Sequence, residues 1–358
     1  MTYLEALAGL NLTLEIGAIR LNKLLQVFAT PQDIFNVSQE KLMRVEGIGA
    51  KIAAKIKGIK KEEIEKELKE TKSLGLKIVT SHDPDYPQNL KNIPDAPIVL
   101  YVKGELKQED NLSLGIVGSR RASFYGLESA QTFARDLAGQ GFTIVSGMAR
   151  GVDTSAHRGA LKSGGRTIAV IGSGFNYIYP EENKELAEEI SRQGAVVSEF
   201  PLNARPFPQN FPRRNRVISG LSLGVLVVEA AKNSGALITA DFALEQGREV
   251  FALPGKADAA NSFGTNNLIK QGAKLVTGIE DILEEFNLPP QGKPEIQGKK
   301  EDDEFILDGI ISEKPIHLDE IADRSRLPLS DLYSTLLKLQ MNRVIKQLPG
   351  NQFVRSTR

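Results

Sequence analysis

Hydrophobic and polar positions follow a regular alternation through the middle of the chain. Between residues 76 and 287, short apolar runs of strand length alternate with longer stretches of helical periodicity, and each run ends in a Gly- or Ser-containing turn. The runs are LGIVG (114–118), FTIVSG (142–147), TIAVIG (167–172), AVVSE (195–199), GVLVVEA (224–230), EVFALPG (249–255) and AKLVTG (273–278). This alternation predicts βαβ units and a doubly wound, mostly parallel α/β sheet. Ligands of such sheets bind beyond the carboxyl ends of the strands.

Two regions with different patterns flank this sheet. Residues 1–75 carry Leu and Ile at helical spacing, which predicts a helical domain. Residues 288–303 are rich in Pro, Gly and charge, which indicates a linker between residues 76–287 and a C-terminal domain at 304–358. The C-terminal pattern predicts a small winged helix, with helices at 304–311, Asp319–Ser325 and Ser330–Met341 and a hairpin turning at Pro349-Gly350.

The composition narrows the classes of protein. The 358 residues include no Cys, which excludes disulfides, thiolate metal sites and a Cys nucleophile. The N-terminus lacks a signal-peptide pattern, and no stretch of ~18 apolar residues predicts a membrane span. A cytoplasmic protein without a membrane partner is therefore expected. The formal net charge of zero argues against binding of nucleic acid by bulk charge, but it allows a local basic groove.

The helical region contains a weak internal repeat. Ile16-Gly17 and Ile48-Gly49 occupy matching positions in two helix-hairpin-helix patterns. A Gly-containing turn that opens a helix offers backbone N–H groups to a phosphate. In the first copy Glu15 replaces a glycine and should repel phosphate. The repeat is thus compatible with DNA binding and with a structural or protein-contact role.

The strongest candidate site begins in GIVGSRRAS (115–123), where a strand runs into a helix. Gly118, Ser119, Arg120 and Arg121 offer N–H donors, a hydroxyl and two guanidiniums, which together suit an anion. The turn is not a dinucleotide fingerprint, because GxGxxG is absent. The alternative is a structural turn whose arginines are simply solvated.

SGMARGVD (146–153) follows the next strand and is predicted to form a second wall of the same pocket. Ser146, Gly147 and Arg150 are its candidate contacts. Asp153 and His157 lie four residues apart on one helix face, but no nucleophile or metal partner stands at a diagnostic spacing. A helix cap at Asp153 and a hydrogen-bonded structural His157 are therefore favoured.

The segment NARPFPQNFPRRNR (203–216) carries four arginines, two phenylalanines and no acid. Its three prolines predict an extended segment, with a helix starting at Val217. Arginines interleaved with aromatic rings suit a single nucleic-acid strand, because guanidiniums bind phosphates and rings stack on bases. The candidate contacts are Phe211, Arg213, Arg214, Asn215 and Arg216. Core packing of the phenylalanines is the alternative.

Lys270, in GTNNLIKQGA (264–273), is a further candidate for the basic surface, with a solvated helix face as its alternative.

Together these motifs resemble the DNA-processing protein A (DprA/Smf) family. The resemblance rests on the hairpin repeat and on DPDYPQNLKNIPDAPIVLYVKG (83–104), GIVGSRRAS, VSGMARGVDTSAHRGAL, FPRRNRVISGLS and GALITADFALEQGREVFALPG, and it covers nearly the whole chain. It implies a SAM-like helical domain, an extended Rossmann-like domain and a winged helix. By motif match, Gly118, Ser119, Arg120 and the arginines of FPRRNR fall in the family's DNA pocket.

The resemblance also implies sequence-independent binding of incoming single-stranded DNA during natural transformation, dimerisation through the Rossmann-like domain and loading of the RecA recombinase. No cofactor, metal or catalytic residue is predicted. A phosphoribohydrolase is the rival class, but its PGGxGTxxE cradle is missing although Glu229 and Glu245 are present. A duplex-DNA regulator is the third class, and it is weakened because the candidate recognition helix carries only Lys338 and Arg343 as cations.

Overall fold

The computed structural model describes residues 1–288 and, in the C-terminal region, 310–312, 314–325, 332, 333, 335, 336, 339, 340, 344–348 and 350–355. The chain divides into two compact units, Met1–Gly292 and Lys293–Arg358. All but the first residue of the predicted linker lies outside the described residues. So do most of the predicted helix at 304–311 and half of the predicted helix at 330–341. The three-domain division stays a prediction.

The first 75 residues are helical, as their periodicity predicts. The helices are α1 (Tyr3–Leu12), α2 (Ala18–Val27), α3 (Pro31–Asn36), α4 (Gln39–Met43), α5 (Ala50–Gly58) and α6 (Lys61–Ser73). Gly17 and Gly49 are the N-caps of α2 and α5, so the repeat marks two matching helical hairpins. The apolar stripes of these helices pack on one another and on Tyr101 and Leu202 of the sheet region. The helices and the sheet therefore share one core.

The sheet of the first unit has nine strands. They are β1 (Lys77–Thr80), β2 (Val99–Gly104), β3 (Ser113–Val117), β4 (Thr143–Ser146), β5 (Thr167–Val170), β6 (Ala195–Ser198), β7 (Gly224–Val227), β8 (Glu249–Ala252) and β9 (Lys274–Leu275). Their order is β1-β2-β6-β5-β4-β3-β7-β8-β9. The seven strands β3 to β9 are all parallel to one another. The strands β1 and β2 are added at one edge, where β1 pairs antiparallel with β2 and β2 pairs antiparallel with β6. The prediction of a mostly parallel sheet is confirmed.

Helices cover both faces of the sheet. They are α7 (Gln88–Lys91), α8 (Phe124–Gly139), α9 (Val152–Lys162), α10 (Lys184–Gln193), α11 (Asn210–Leu221), α12 (Gly235–Glu245), α13 (Phe263–Lys270) and α14 (Glu280–Glu285). One core contains side chains of α11, α12 and α13, and the other contains side chains of α8, α9 and α14. The chain builds outward from β3 to β6 and then returns to place β7 on the other side of β3. This reversal opens a crevice at the carboxyl ends of β3 and β7.

The start of α11 corrects one prediction. The helix begins at Asn210 rather than at Val217, so the whole FPRRNR segment is helical. Pro212 occupies the third helical position, where a backbone N–H would have no intrahelical acceptor. A proline there removes no helical hydrogen bond, so it does not keep the segment extended.

The second unit contains a three-stranded sheet, in the order β10 (Ile316–His317), β12 (Gln352–Arg355) and β11 (Ile345–Leu348). The α15 helix (Leu318–Ser325) matches the predicted second helix. The predicted hairpin is present, and Gly350 and Asn351 in its turn have positive φ angles of 82° and 53°. Among the described residues, no helix is both long and apolar enough to cross a bilayer.

Candidate nucleic-acid interface

A cavity of about 1060 Å³ lies at the point where the strand order reverses. Its walls are the turn after β3, the turn after β7, one face of α11 and the segment that leads into α13. Because these segments all meet at the carboxyl edge of the parallel strands, the topology brings distant parts of the sequence into one crevice. The residues that carry its chemistry are Ser119, Arg120, Arg121, Asp153, Tyr179, Phe211, Arg214, Asn215, Lys232, Asn233, Asn261 and Phe263.

The turn after β3 is fixed by short contacts. The Ser119 N–H donates to the Glu229 carbonyl at 2.8 Å, and the Arg121 N–H donates to the Ser119 Oγ at 3.1 Å. A Cβ atom on Gly118 would lie 2.6 Å from Val152 Cγ2 and 3.0 Å from the Glu229 carbonyl oxygen. Glycine is therefore required for this close approach, and the turn directs Arg120 and Arg121 into solvent at the cavity.

The turn after β4 supports this site more than it lines it. Ser146 is fully buried and donates its Oγ–H to the Ile116 carbonyl at 2.6 Å. Gly147 lies against the Arg214 guanidinium, and a Cβ there would lie 2.7 Å from Arg214 Cζ. Arg150 is exposed but forms an ion pair with Glu182, with 2.9 Å between Nη2 and Oε2. These three predicted contacts are therefore placed outside the cavity lining.

Arg214 forms the floor of the cavity. Its guanidinium is buried and donates to the carbonyls of Gly147 and Val170. Burial lowers its pKa to about 10, and the nearby Asp153 carboxylate opposes that shift. Arg214 thus stays a cation at neutral pH and links α11 to the turn after β4 and to the end of β5.

Two titratable groups beside Arg214 have displaced pKa values. Burial raises the pKa of Asp153 to about 6, although Arg214 and the Ala149 N–H favour its ionised form. Burial and Arg214 lower the pKa of His157 to about 3. Its Nδ1 lies 2.7 Å from the Thr167 Oγ1, which confirms the hydrogen-bonded structural role predicted for this residue. The cap prediction for Asp153 is wrong in detail, because Gly151 is the N-cap of α9 and Asp153 accepts from Ala149.

Phe211 sits between cations at the cavity wall. The Arg120 Cζ lies 5.2 Å from the centroid of its ring and the Arg214 Cζ lies 5.9 Å from it. The ring of Tyr179 lies 5.8 Å away, centroid to centroid. A cation that lies over the face of an aromatic ring is attracted to that ring. The arrangement places a guanidinium, which can bind a phosphate, beside an aromatic ring, on which a base can stack.

The other arginines of FPRRNR face away from the cavity, which corrects the expectation that Arg213 shares a crevice with Arg120. The Nη1 of Arg213 donates to the Leu14 carbonyl at 2.7 Å, and its Nη2 contacts Glu199 at 3.0 Å. Arg216 is buried against Glu199 at 2.5 Å and Asp95 at 3.2 Å. The reason is helix geometry, since residues three or four apart share a face. Phe211, Arg214 and Asn215 lie on the cavity face, and Arg213 and Arg216 lie on another.

Lys270 also lies outside the cavity lining, since α13 begins at the cavity with Phe263 and Lys270 is in its last turn. The two are seven positions apart on the helix, which is about 10 Å along its axis. Sequence reasoning missed Lys232, Asn233, Asn261, Phe263 and Tyr179. Lys232 could have been found, because it follows the GVLVVEA strand in the same way that Arg120 follows LGIVG.

The charges of the cavity are strongly unbalanced although the chain has no net charge. Its lining contains the cations Arg120, Arg121, Arg214 and Lys232 and a single carboxylate, Asp153. Within the described part of the chain, no ion pair involves Arg120, Arg121 or Lys232. Unpaired guanidiniums in a crevice form a focused positive field for a polyanion.

The turns of the N-terminal hairpins are tied to each other. Glu15 forms an ion pair with Lys55, which lowers the pKa of the carboxyl group. Arg20 donates to the Glu15 carbonyl at 2.6 Å and to the Gly47 carbonyl at 3.1 Å. Because these groups satisfy one another, the arrangement favours the structural interpretation of the repeat.

The fold and the crevice define a class: an α/β protein with a Rossmann-like sheet and a preformed cationic site at its switch point. The comparisons with known proteins give the family. The profile of the DNA recombination-mediator protein A family matches residues 77–287, and that of the DprA winged helix domain matches residues 289–351. The chain belongs to this family of DNA-processing and recombination proteins, which confirms the resemblance and the predicted winged helix.

Individual relatives agree with this assignment. Protein Smf of Escherichia coli (strain K12) is 44% identical over 275 residues, which are 74% of this chain and 74% of that protein. The X-ray structure of DNA processing protein A from Streptococcus pneumoniae matches with a TM-score of 0.70 and 34% identity, over 80% of this chain and 98% of that one. The Helicobacter pylori DNA processing protein A, whose structure describes a single-stranded DNA binding mode, matches with a TM-score of 0.52 and 31% identity, over 58% and 98% of the two chains.

Proposed function

We propose that the crevice binds single-stranded DNA without sequence preference. The observation that carries the proposal is a preformed cavity lined by Arg120, Arg121 and Lys232, which form no ion pair within the described residues, together with the Phe211 ring under Arg120. The cations bind phosphates, and the ring offers a stacking surface for a base. Both contacts ignore base identity.

The aromatic component favours single strands over duplex. In a duplex the base faces are already stacked, so a ring in a crevice reaches them only after a base is unstacked. In a single strand the faces are available, and stacking on a protein ring contributes ~1–3 kcal/mol per base. The Helicobacter pylori relative, with its described single-stranded DNA binding mode, supports the same ligand for this chain.

We propose a binding role rather than an enzymatic one. Glu229, one of the two acids considered for the rival phosphoribohydrolase class, is buried, and its carboxylate accepts the Ser123 N–H at 2.8 Å. Its other oxygen accepts the Ser123 hydroxyl, so the carboxylate fixes the start of α8. His157 and Asp153 are buried in hydrogen bonds beneath Arg214. Glu229 and His157 do not line the crevice, and Asp153, which does, is buried beside the Arg214 guanidinium.

The wider role rests on the family. We propose that the protein works in the cytoplasm, where it protects incoming single strands and loads RecA onto them during natural transformation and recombination. We also propose a homodimer through the Rossmann-like domain. The α12 helix supports this, because Ile238 and Leu244 expose apolar side chains on it.

The test is a strand-preference titration. The full-length protein is titrated into labelled oligothymidylate, into mixed-sequence single strands and into duplex of equal length, at several salt concentrations. We expect similar affinity for all single strands, weaker binding to duplex and a steep fall with salt. Tighter binding to duplex than to single strands would refute the proposal, and so would competition by a mononucleotide at concentrations that match the oligonucleotide.

A further inference from the structure

Exposed aromatic rings stand on both sides of the crevice. On one side are Tyr177 and Tyr179, and on the other is Phe263, the first residue of α13. Tyr177 is 38% exposed and Phe263 is 51% exposed, so each ring offers a face to solvent. Single exposed apolar residues are common, whereas exposed rings grouped at the edge of a pocket form an apolar surface that a ligand can contact.

Each of the two outer rings is paired with a cation. The Arg205 Cζ lies 5.7 Å from the centroid of the Tyr177 ring, and the Lys232 Nζ lies 5.9 Å from that of Phe263. Neither cation forms an ion pair among the residues that the structure describes. A ring with an unpaired cation beside it provides for the base and the phosphate of one nucleotide. The two sides thus repeat the Arg120–Phe211 arrangement of the cavity wall.

Both pairs are mounted on braced backbone. The Gly174 N–H donates to the Ala204 carbonyl at 2.8 Å, which ties the Tyr177 segment to the Arg205 segment. On the other side, the Gly264 N–H donates to the Ala230 carbonyl at 2.7 Å, which ties the start of α13 to the turn that carries Lys232. Rings held in this way lose little conformational freedom when a base stacks on them.

We infer that a single strand extends out of the crevice on both sides, with one base stacking on Tyr177 beside Arg205 and another on Phe263 beside Lys232. The inference rests on the proposed function and adds the path of the strand. The central cavity binds the nucleotides that even a short oligonucleotide supplies. The Phe263–Lys232 pair lies at the cavity itself, whereas the Tyr177–Arg205 pair lies outside its lining and is engaged only by a strand long enough to leave the crevice on that side.

The absence of tryptophan from the chain gives a direct reporter. Tyr177→Trp and Phe263→Trp each place a sole tryptophan on one outer ring position. Addition of a long oligothymidylate, ~20 nucleotides, should change the emission of both tryptophans, whereas one of ~4 nucleotides should leave the emission of the Tyr177→Trp variant nearly unchanged. Phe124→Trp is the matched control, because Phe124 is 81% exposed but does not line the cavity. Its emission should not respond to either strand.

Affinity measurements test the energetic side. Tyr177→Leu and Phe263→Leu should each weaken binding of the long strand by about five- to tenfold, the low end for one stacked base. Tyr177→Phe should bind like wild type, and Phe124→Leu should have no effect. Tyr177→Leu should not alter binding of the short strand, because Tyr177 lies outside the cavity lining. Neither leucine variant should alter binding of a long strand with abasic sites in place of bases. Thermal melting confirms that each variant is folded.

The outcomes separate this inference from the proposed function. If wild type fails to bind single strands, or if Arg120→Ala binds as wild type does, the proposed function fails. A different result would leave the proposed function intact and contradict only the path of the strand over Tyr177 and Phe263. In that result wild type binds and Arg120→Ala binds more weakly, but the leucine variants bind the long strand normally and neither tryptophan changes its emission. An equal loss in Phe124→Leu would also overturn the path, because general surface hydrophobicity would then explain the effect.

Discussion

The two faces of α11 contain the same kinds of residue and do different work. On the cavity face, Arg214 holds the floor and Phe211 stands beneath the exposed Arg120. On the opposite face, Arg213 and Arg216 converge on the buried carboxylate of Glu199. Arg213 also reaches the Leu14 carbonyl in the helical region. One face shapes a ligand site, and the other fixes that site to the rest of the protein.

The comparison shows that a cluster of arginines in sequence is not a cluster of charge in space. FPRRNR looks like one basic patch, but the helix distributes its cations around the axis. Two of the three arginines are neutralised by acids, and the third is buried on backbone carbonyls. The solvent-accessible positive charge of the crevice therefore comes mainly from other segments, through Arg120, Arg121 and Lys232.

The largest expected effect is on stability, from the anchoring face. Arg216→Ala would leave the Glu199 carboxylate buried with only the partly exposed Arg213 as partner. Breaking a buried ion pair in this way costs about 3–5 kcal/mol. Denaturant unfolding measures the loss. Arg121→Ala, an exposed residue without an ion pair in the described structure, is the control and should stay within about 0.5 kcal/mol of wild type. A loss below about 1 kcal/mol in Arg216→Ala would show that this face is not an anchor.

The second effect comes from Asp153 and His157 of α9, which lie beside Arg214 of the cavity face, and it appears as a pH dependence. The pKa of His157 is lowered from 6.5 to about 3 on folding, so the unfolded state binds the proton first and stability falls as pH falls through this window. The pKa of Asp153 is raised from 3.8 to about 6, so the folded state binds the proton first and stability rises as pH falls. In wild type these two contributions largely cancel.

Single substitutions should uncover each contribution. Between about pH 6.5 and pH 4.5, His157→Gln should gain roughly 2 kcal/mol of stability relative to wild type, and Asp153→Asn should lose a similar amount. Denaturant unfolding at a series of pH values gives both slopes. The stability difference between each variant and wild type should change with pH in opposite directions for the two variants. A change in the same direction would contradict the pKa shifts assigned to His157 and Asp153.

Local features of this fold and site could be predicted from the sequence. The strand and turn of GIVGSRR are contiguous, so periodicity and two residue types were enough to identify Arg120 and Arg121. The orientation of Arg213 was not predictable in the same way. It depends on Pro212 being tolerated in a first helical turn and on an acceptor at Leu14, about 200 positions earlier. Phe263 was missed because only the strand order brings it near β3, whereas Lys232 follows its strand as Arg120 does and could have been found.

The third effect concerns DNA binding at the cavity. Arg120 is exposed beside Phe211 and has no ion-pair partner in the described part of the chain, so Arg120→Ala should weaken single-strand binding by about 1–3 kcal/mol. The salt dependence should become shallower by about one phosphate contact. Arg120→Lys should restore part of the affinity, because lysine keeps the charge but not the bidentate geometry. Fluorescence anisotropy over a salt series tests all three statements. Wild-type affinity in Arg120→Ala would remove the central residue from the site.

The smallest expected effect is that of Arg213→Ala on DNA affinity, and it divides the two faces of α11 most sharply. If FPRRNR formed one basic patch on the DNA, Arg213→Ala should weaken DNA binding as much as Arg120→Ala does. In the structure Arg213 bonds to the Leu14 carbonyl and to the Glu199 carboxylate instead. The DNA-binding free energy should therefore stay within about 0.5 kcal/mol of wild type, and its salt dependence should not change. Stability should fall by about 1–2 kcal/mol, because the Leu14 carbonyl and the Glu199 carboxylate each lose a charged donor. The double variant should bind DNA as Arg120→Ala does and unfold as Arg213→Ala does, since the two side chains share no partner. A further loss of affinity in the double variant, with a second unit lost from the salt slope, would place Arg213 on the DNA and return both faces of the helix to one binding surface.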